Sequence, residues 1–191
     1  MSTNAGQFIA LCWTVFFLYW IVAAFWTKQT AERAGWLSGW WVWLILALPA
    51  FVLLRRRTVP FAAGAMLWRS TAALGIVADA ITGTGLFIAL WARTILGRNW
   101  SANVVLKEQH ELIDRGPYRF VRHPIYTGVL LMVLGTVMLW GRTVGLMLLG
   151  VDIAGVWVKA RREERLLTKH FPEAYRRYRA RVKAALIPFV V

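Results

Sequence analysis

Cysteine is nearly absent from this chain: Cys12 stands alone, inside an apolar run. A disulfide framework within one chain and a zinc site built on cysteines are thereby excluded. Acids are scarce too, nine Asp and Glu against 23 Lys and Arg, for a net charge of +14. The G-x-G-x-x-G signature of a dinucleotide-binding domain does not occur, so a Rossmann-type cofactor site is not expected. Internal repeats and low-complexity stretches are missing as well. What abounds is apolar surface. Hydrophobic residues make up 59% of the chain and Trp occurs 12 times. A soluble domain of 191 residues has too little interior to hide that much, and lipid is the alternative solvent. The strong basicity points to nucleic acid or to an anionic membrane surface. The basic residues flank the apolar runs and form no patch interleaved with aromatics. That distribution selects membrane lipids as partners and argues against nucleic acid.

A spanning helix needs roughly 20 mostly apolar residues. Phe8–Trp26 carries no charge and lacks the basic region that precedes a cleaved signal, so it is expected to span. Ala34–Leu54 is uncharged and bracketed by Arg33 and Arg55, and Ser70–Ala92 is interrupted only by Asp79. Pro124–Gly141 and the shorter Thr143–Val158, which contains Asp152, meet at Gly141 and Arg142. So short a link predicts a tight antiparallel hairpin, with Pro124 in the first helical turn, where its missing N–H costs nothing. The predicted fold class is all-α, a polytopic transmembrane helical bundle of about five spans. Residues 1–92 supply three spans. Residues 93–191 hold the hairpin 124–158 and a C-terminal helical tail.

Charge orients this bundle. The N-terminus, residues 55–69 and Arg142 share one side with five basic residues, Arg55, Arg56, Arg57, Arg69 and Arg142, leaving 18 of the 23 on the other. The positive-inside rule then places the 27–33 loop, the 93–123 loop and the tail in the cytoplasm, although Arg55–Arg57 runs against it locally. The tail reads as helical from Lys159 to about Phe171 and again from about Pro172 to Lys183, with Tyr175, Tyr178 and Val182 at helical spacing. Taken alone, it is an amphipathic surface anchor.

Two intramembrane acids, Asp79 and Asp152, need a reason to be there. An interhelical hydrogen bond, or a protonated acid, among small residues such as Gly83 and Gly85 is the ordinary one, and a substrate cavity is the functional one. The segment Arg115–Gly128, which reads Arg-Gly-Pro-Tyr-Arg-Phe-Val-Arg-His-Pro-Ile-Tyr-Thr-Gly, is more informative. It sets polar and charged side chains at a membrane entry point and frames them with Gly116, Pro117, Pro124 and Gly128. Arg122 and His123 stand at the mouth of a helix, whose N-terminus favours an anionic group. An interfacial belt of Arg and Tyr explains the composition but not the Gly/Pro framing. Further on, Lys159, Glu163 and Leu167 share one helical face, and Glu163 and Glu164 are the only adjacent acids. Spacing alone does not separate a ligand site from a solvated salt-bridge network there.

The ordered set Arg122-His123-Pro124-x-Tyr126-x-Gly128, a hydrophobic hairpin and Glu163-Glu164-x-x-Leu167 resembles the isoprenylcysteine carboxyl methyltransferase family and its phospholipid methyltransferase relatives. The likeness starts near Leu96-Gly97-Arg98-Asn99-Trp100-Ser101, runs through His110-Glu111-Leu112-Ile113 and Gly116-Pro117-Tyr118, and ends at Phe171, Tyr175, Tyr178 and Leu186-Ile187-Pro188. The resemblance implies a helical membrane methyltransferase that uses S-adenosylmethionine, with the tail closing a cytoplasm-facing cofactor pocket. It implies cofactor contacts from His110, Glu111, Leu112, Ile113, Tyr118, His123, Pro124, Ile125, Tyr126 and Glu163, and no metal. Arg122, His123 and Tyr126 are the expected catalytic residues. Lys159 is the expected substrate contact, standing where the prenylcysteine enzymes carry an Arg. Lysine keeps the charge but loses a bidentate grip on carboxylate, which counts against a prenylcysteine acceptor. Pro172 stands where the family usually has Gly. The chain's short length suggests a prokaryotic member in the cell membrane, acting on a lipophilic carboxylate, amine or thiol. Membrane sterol-type reductases, which bind NADPH, carry a similar Arg-His-Pro-x-Tyr-x-Gly element and are the alternative enzyme class, with a non-catalytic scaffold as the third reading.

Overall fold

A computed structural model describes residues 3–25, 64–97 and 112–186, and the backbone of 30–33 and 105–107. The architecture is helical, as the apolar runs predict. Helix α1 is Thr3–Ala24, α2 is Ala72–Leu96, α3 is Pro124–Trp140, α4 is Thr143–His170 and α5 is Pro172–Arg181. By length and composition α1, α2 and α4 are able to cross a bilayer. Helix α3 has 17 residues, about 25 Å, and most of them are buried against neighbouring helices. The expected span Ala34–Leu54 lies outside the described residues. One small departure from an all-helical chain is a strand pair, in which β1, Thr30–Arg33, runs antiparallel to β2, Val105–Lys107. It joins two loops that the charge pattern assigns to the same side.

Helices α1 and α2 run parallel. Tyr19 meets Thr94 through their hydroxyls at 2.9 Å, and the Arg93 guanidinium donates to the Ala23 carbonyl, also at 2.9 Å. Helix α3 runs antiparallel to α2 and packs closely on it because the seam is built of small residues. A Cβ placed on Gly128 would lie 2.7 Å from the Ala89 amide nitrogen, and one on Gly85 would lie 2.9 Å from the Met132 nitrogen. Only glycine allows backbones to approach so closely, which is how helices associate where lipid is as apolar as the side chains. Trp13 of α1 reaches the same seam and donates to the Thr136 hydroxyl at 3.0 Å.

The α3–α4 hairpin turns at Gly141, whose φ of +65° is a left-handed value suited to glycine. Residues 64–68 lie against this turn, with the Leu67 N–H donating to the Gly141 carbonyl at 2.8 Å and the Thr143 N–H to the Ala65 carbonyl at 3.1 Å. The expected span Thr143–Val158 and the helix expected from Lys159 to about Phe171 are one element. Helix α4 is continuous for 28 residues. No Gly or Pro follows Val158 before Pro172, so the change from apolar to charged side chains alters the helix's surroundings without breaking it. Helix α5 follows Phe171 and buries Tyr175, Tyr178 and Val182 against Leu112, Leu167 and Phe171.

Candidate functional site

The N-terminal end of α3 gathers the polar residues. Gly116, at a φ of +61°, opens a 3-10 turn, Gly116–Arg119, and a Cβ there would press on Ile95 of α2 at 3.0 Å. Pro117 and Tyr118 of this turn are buried, while Phe120 just after it is exposed. His123 then occupies the position before the helix. Its side chain makes no capping bond to the helix N–H groups and points instead to α4.

Adjacent acids on α4 lie about 100° apart around the helix, and here they close on His123 from two flanks. His123 Nδ1 lies 3.4 Å from Glu163 Oε2, and Nε2 lies 3.3 Å from Glu164 Oε1. Tyr126 stacks against the imidazole with ring centroids 5.6 Å apart, and its hydroxyl donates to Glu163 Oε1. One turn before Glu163, Lys159 is buried, with Nζ 5.7 Å from the centre of the Tyr126 ring. Glu163 therefore has both oxygens engaged while its side chain keeps 26% of its exposure, the most accessible group of the cluster. Burial alone would lower the His123 pKa. Hydrogen bonds to Glu163 and Glu164 outweigh it, so the group is raised above its usual value and suits the imidazolium form.

Arg122 faces the other way. Its Nε donates to Glu164 Oε1 at 2.7 Å, and its NH1 group donates to the carbonyls of Val182, at 2.8 Å, and Lys183. The backbone N–H groups of Arg122 and His123 donate to the Ala184 and Ala185 carbonyls at 3.0 Å each, and the Thr127 hydroxyl donates to the Leu186 carbonyl. The tail thus returns to the start of α3, where its carbonyls meet the N–H of the cap residue His123 and that of Arg122 before it.

Of the residues expected at the site, Arg122, His123, Tyr126, Lys159 and Glu163 come together. Leu112 packs against the α5 cluster and Ile113 against the main core. Tyr118 is buried; its carbonyl accepts from the Tyr178 hydroxyl at 2.8 Å, and burial, then the nearby Glu163, raises its phenol. Pro124 and Ile125 are buried in the first turn of α3, with Ile125 in the main core. His110 and Glu111 lie outside the described residues. Glu164 and the tail carbonyls are additions. The doubled acid was visible in the sequence, but its cross-helix partner was not. Tyr175 is a second addition, nearly fully buried beside this web with no hydrogen-bond partner for its hydroxyl among the described residues. Asp152 is also buried, and neither of its carboxylate oxygens bonds to a described residue, so the interhelical bond, one of its two ordinary readings, is not formed there. No cluster of three metal-ligating side chains occurs among the described residues.

Fold and site together define an integral membrane protein of apolar helices whose one polar centre, among the described residues, lies where α3, α4 and the tail meet. Residues 73–174, more than half of the chain, match the phospholipid methyltransferase family, and the chain belongs to that family. It is also 30% identical, over 119 residues, to the protein-S-isoprenylcysteine O-methyltransferase of Schizosaccharomyces pombe, an alignment covering 61% of this chain and 48% of that protein. The chain thus spans about half the length of this curated relative. The family match begins inside α2, upstream of Leu96 where the recognisable motifs start, so the third expected span carries family signal that short motifs do not reveal.

Proposed function

We propose that the chain is an S-adenosylmethionine-dependent methyltransferase whose lipophilic acceptor enters from the bilayer. The observation that carries this reading is Glu163, the one partly exposed carboxylate in a buried cluster, held by Tyr126 and His123 beside the buried Lys159. These residue types fit the cofactor. A carboxylate accepts from ribose hydroxyls or an ammonium group, and Leu112 and Ile113 offer apolar walls to an adenine. The family resemblance would add His110 and Glu111 to the cofactor's contacts. The relative's name, an O-methyltransferase, supports the reaction class.

When bound, S-adenosylmethionine supplies a methyl group on a positively charged sulfur. An acceptor would need in-line alignment with that methyl more than a base, and Glu163, Tyr126 and Lys159 are the residues that would hold the two in register. His123, facing a carboxylate at each nitrogen, is a donor on both sides and a poor base. Its part is to fix Glu163 and Tyr126. Lys159 is the cation placed to meet an acceptor that is already anionic, a carboxylate or thiolate, which needs no base. Arg122 acts at one remove, through Glu164. The exposed Phe120 and Trp157, the latter under the Arg161 guanidinium at 4.4 Å, suit the headgroup level, with the site on the cytoplasmic side of a prokaryotic cell membrane.

The test is calorimetric titration of the detergent-purified protein with S-adenosylhomocysteine and, in parallel, with NADPH. Binding of S-adenosylhomocysteine alone is expected. Binding of NADPH alone would move the chain to the reductases, and binding of neither to folded protein would leave a scaffold.

A further inference from the structure

The proposed chemistry gives Glu164 no contact with a ligand, yet one of its oxygens ties Arg122 to His123. One oxygen, Oε1, takes the Arg122 Nε at 2.7 Å and faces His123 Nε2 at 3.3 Å, with 9% exposure on both the Arg122 and Glu164 side chains. Arg122 in turn grips the carbonyls of Val182 and Lys183. The next three carbonyls, of Ala184, Ala185 and Leu186, are held by the N–H groups of Arg122 and His123 and by the Thr127 hydroxyl. Five successive carbonyls are thus read by one stretch of chain at the start of α3, so residues 182–186 form a strap fastened by its backbone.

We propose that Glu164 is a positioning residue that couples docking of this strap to the alignment of His123 and Glu163. The ties run in series: strap to Arg122, Arg122 to Glu164, Glu164 to His123, and His123 to Glu163. Undocking the strap takes two acceptors from Arg122. The guanidinium then swings toward water and carries Glu164 with it, so His123 keeps one carboxylate instead of two. A buried pair is poor evidence for stability, and its better-attested use is to fix one arrangement over others. Coupling of this kind is reciprocal: whatever ligand Glu163 and His123 hold must tighten the strap by the factor by which the strap tightens the ligand. The inference rests on the proposed cofactor reading for its ligand, and S-adenosylhomocysteine is the probe.

The tail carries its own reporter. Arg176, Arg177, Arg179, Arg181 and Lys183 are exposed on α5 and the strap, and each is a trypsin site. In the detergent-purified full chain, saturating S-adenosylhomocysteine is expected to slow tail cleavage within the roughly 5- to 150-fold range typical of coupled sites. Glu164→Gln should cleave faster without ligand, lose the ligand's protection, and bind the ligand more weakly by a similar factor, with its helical circular dichroism unchanged. Glu164→Asp should recover part of each effect. Thr127→Val, which removes one strap tie and a 3.3 Å hydroxyl bond to the His123 backbone carbonyl while leaving both carboxylates against the His123 ring, should weaken ligand binding in the same direction. Cleavage of the wild type that ignores bound S-adenosylhomocysteine, or full protection in Glu164→Gln, overturns the proposal. Should S-adenosylhomocysteine fail to bind the wild type, the cofactor reading falls by itself. Ligand-free cleavage of Glu164→Gln then still decides the strap coupling, faster supporting it and unchanged overturning it.

Discussion

Helix α3 is closed at both ends by backbone from a distant part of the chain, yet the two ends differ in charge. At Gly141 the segment 64–68 does the work. N–H groups of Leu67 and Trp68 donate to the Gly141 carbonyl, the Trp68 indole donates to Met138, and Arg142 donates to the Gly64 carbonyl at 2.9 Å. At His123 the strap 182–186 performs the same service with the same kind of bond. Only at the second end do Arg122, His123, Glu163 and Glu164 add a buried ionic web. Among the described residues the Gly141 end is closed without such a web, so closing a helix does not require one. The charges at the other end are costly to bury, and the proposed function gives them a ligand to hold.

This contrast is open to attack from the charged end first. His123→Ala leaves two carboxylates short of a partner and is expected to cost about 3–5 kcal/mol of stability, read from thermal unfolding in detergent. The same variant should erase a pH dependence. His123 titrates above its unfolded value, so the stability it contributes is complete below about pH 6.5 and is lost as pH rises through the folded pKa. The melting temperature of the wild type should fall relative to that of His123→Ala across that window. A parallel response in both would remove His123 as the titrating group.

Gly128→Ala sharpens the comparison from the middle of the seam. The new methyl would meet the Gly85 carbonyl and the Ala89 backbone of α2, and overpacking of this kind costs about 1–3 kcal/mol. It should lower stability without changing which ligand binds, as judged by unfolding and by titration of the folded fraction. The smallest effect belongs to the quiet end. Arg142→Ala removes, among its contacts, the bond to the Gly64 carbonyl, which is expected to cost about 0.5–1.5 kcal/mol. A loss there as large as at His123 would mean that the two ends are equivalent after all.

Much of the bundle was legible because hydropathy and helix punctuation agree. Pro124 opens α3 and Gly141 ends it, as the sequence pattern predicts. The predicted runs Phe8–Trp26 and Ser70–Ala92 meet α1 and α2 to within a few residues at most of their ends. That the two helical runs meeting at Lys159 form one helix was not legible in polarity alone, which marks a change of surroundings and not a helix end. The site was legible in part. Its residue types and order carried His123, Tyr126, Lys159 and Glu163 to one place. The roles of Glu164 and of the strap were hidden for a physical reason. Glu164 is distinguished from Glu163 only by the helical rotation that turns it toward Arg122, and carbonyls contribute nothing to a side-chain pattern. The Gly85–Gly128 approach was equally unreadable, because it is a relation between two helices.

The most direct test of the account is paired calorimetric titration of Glu163→Gln and Arg142→Ala with S-adenosylhomocysteine. Losing a charge-assisted hydrogen bond of about 1.5–3 kcal/mol should weaken binding to Glu163→Gln by about 10- to 100-fold, while Arg142→Ala binds as the wild type does. Equal affinity in Glu163→Gln and wild type, both folded, would contradict the claim that the charged end of α3 is built to hold the cofactor.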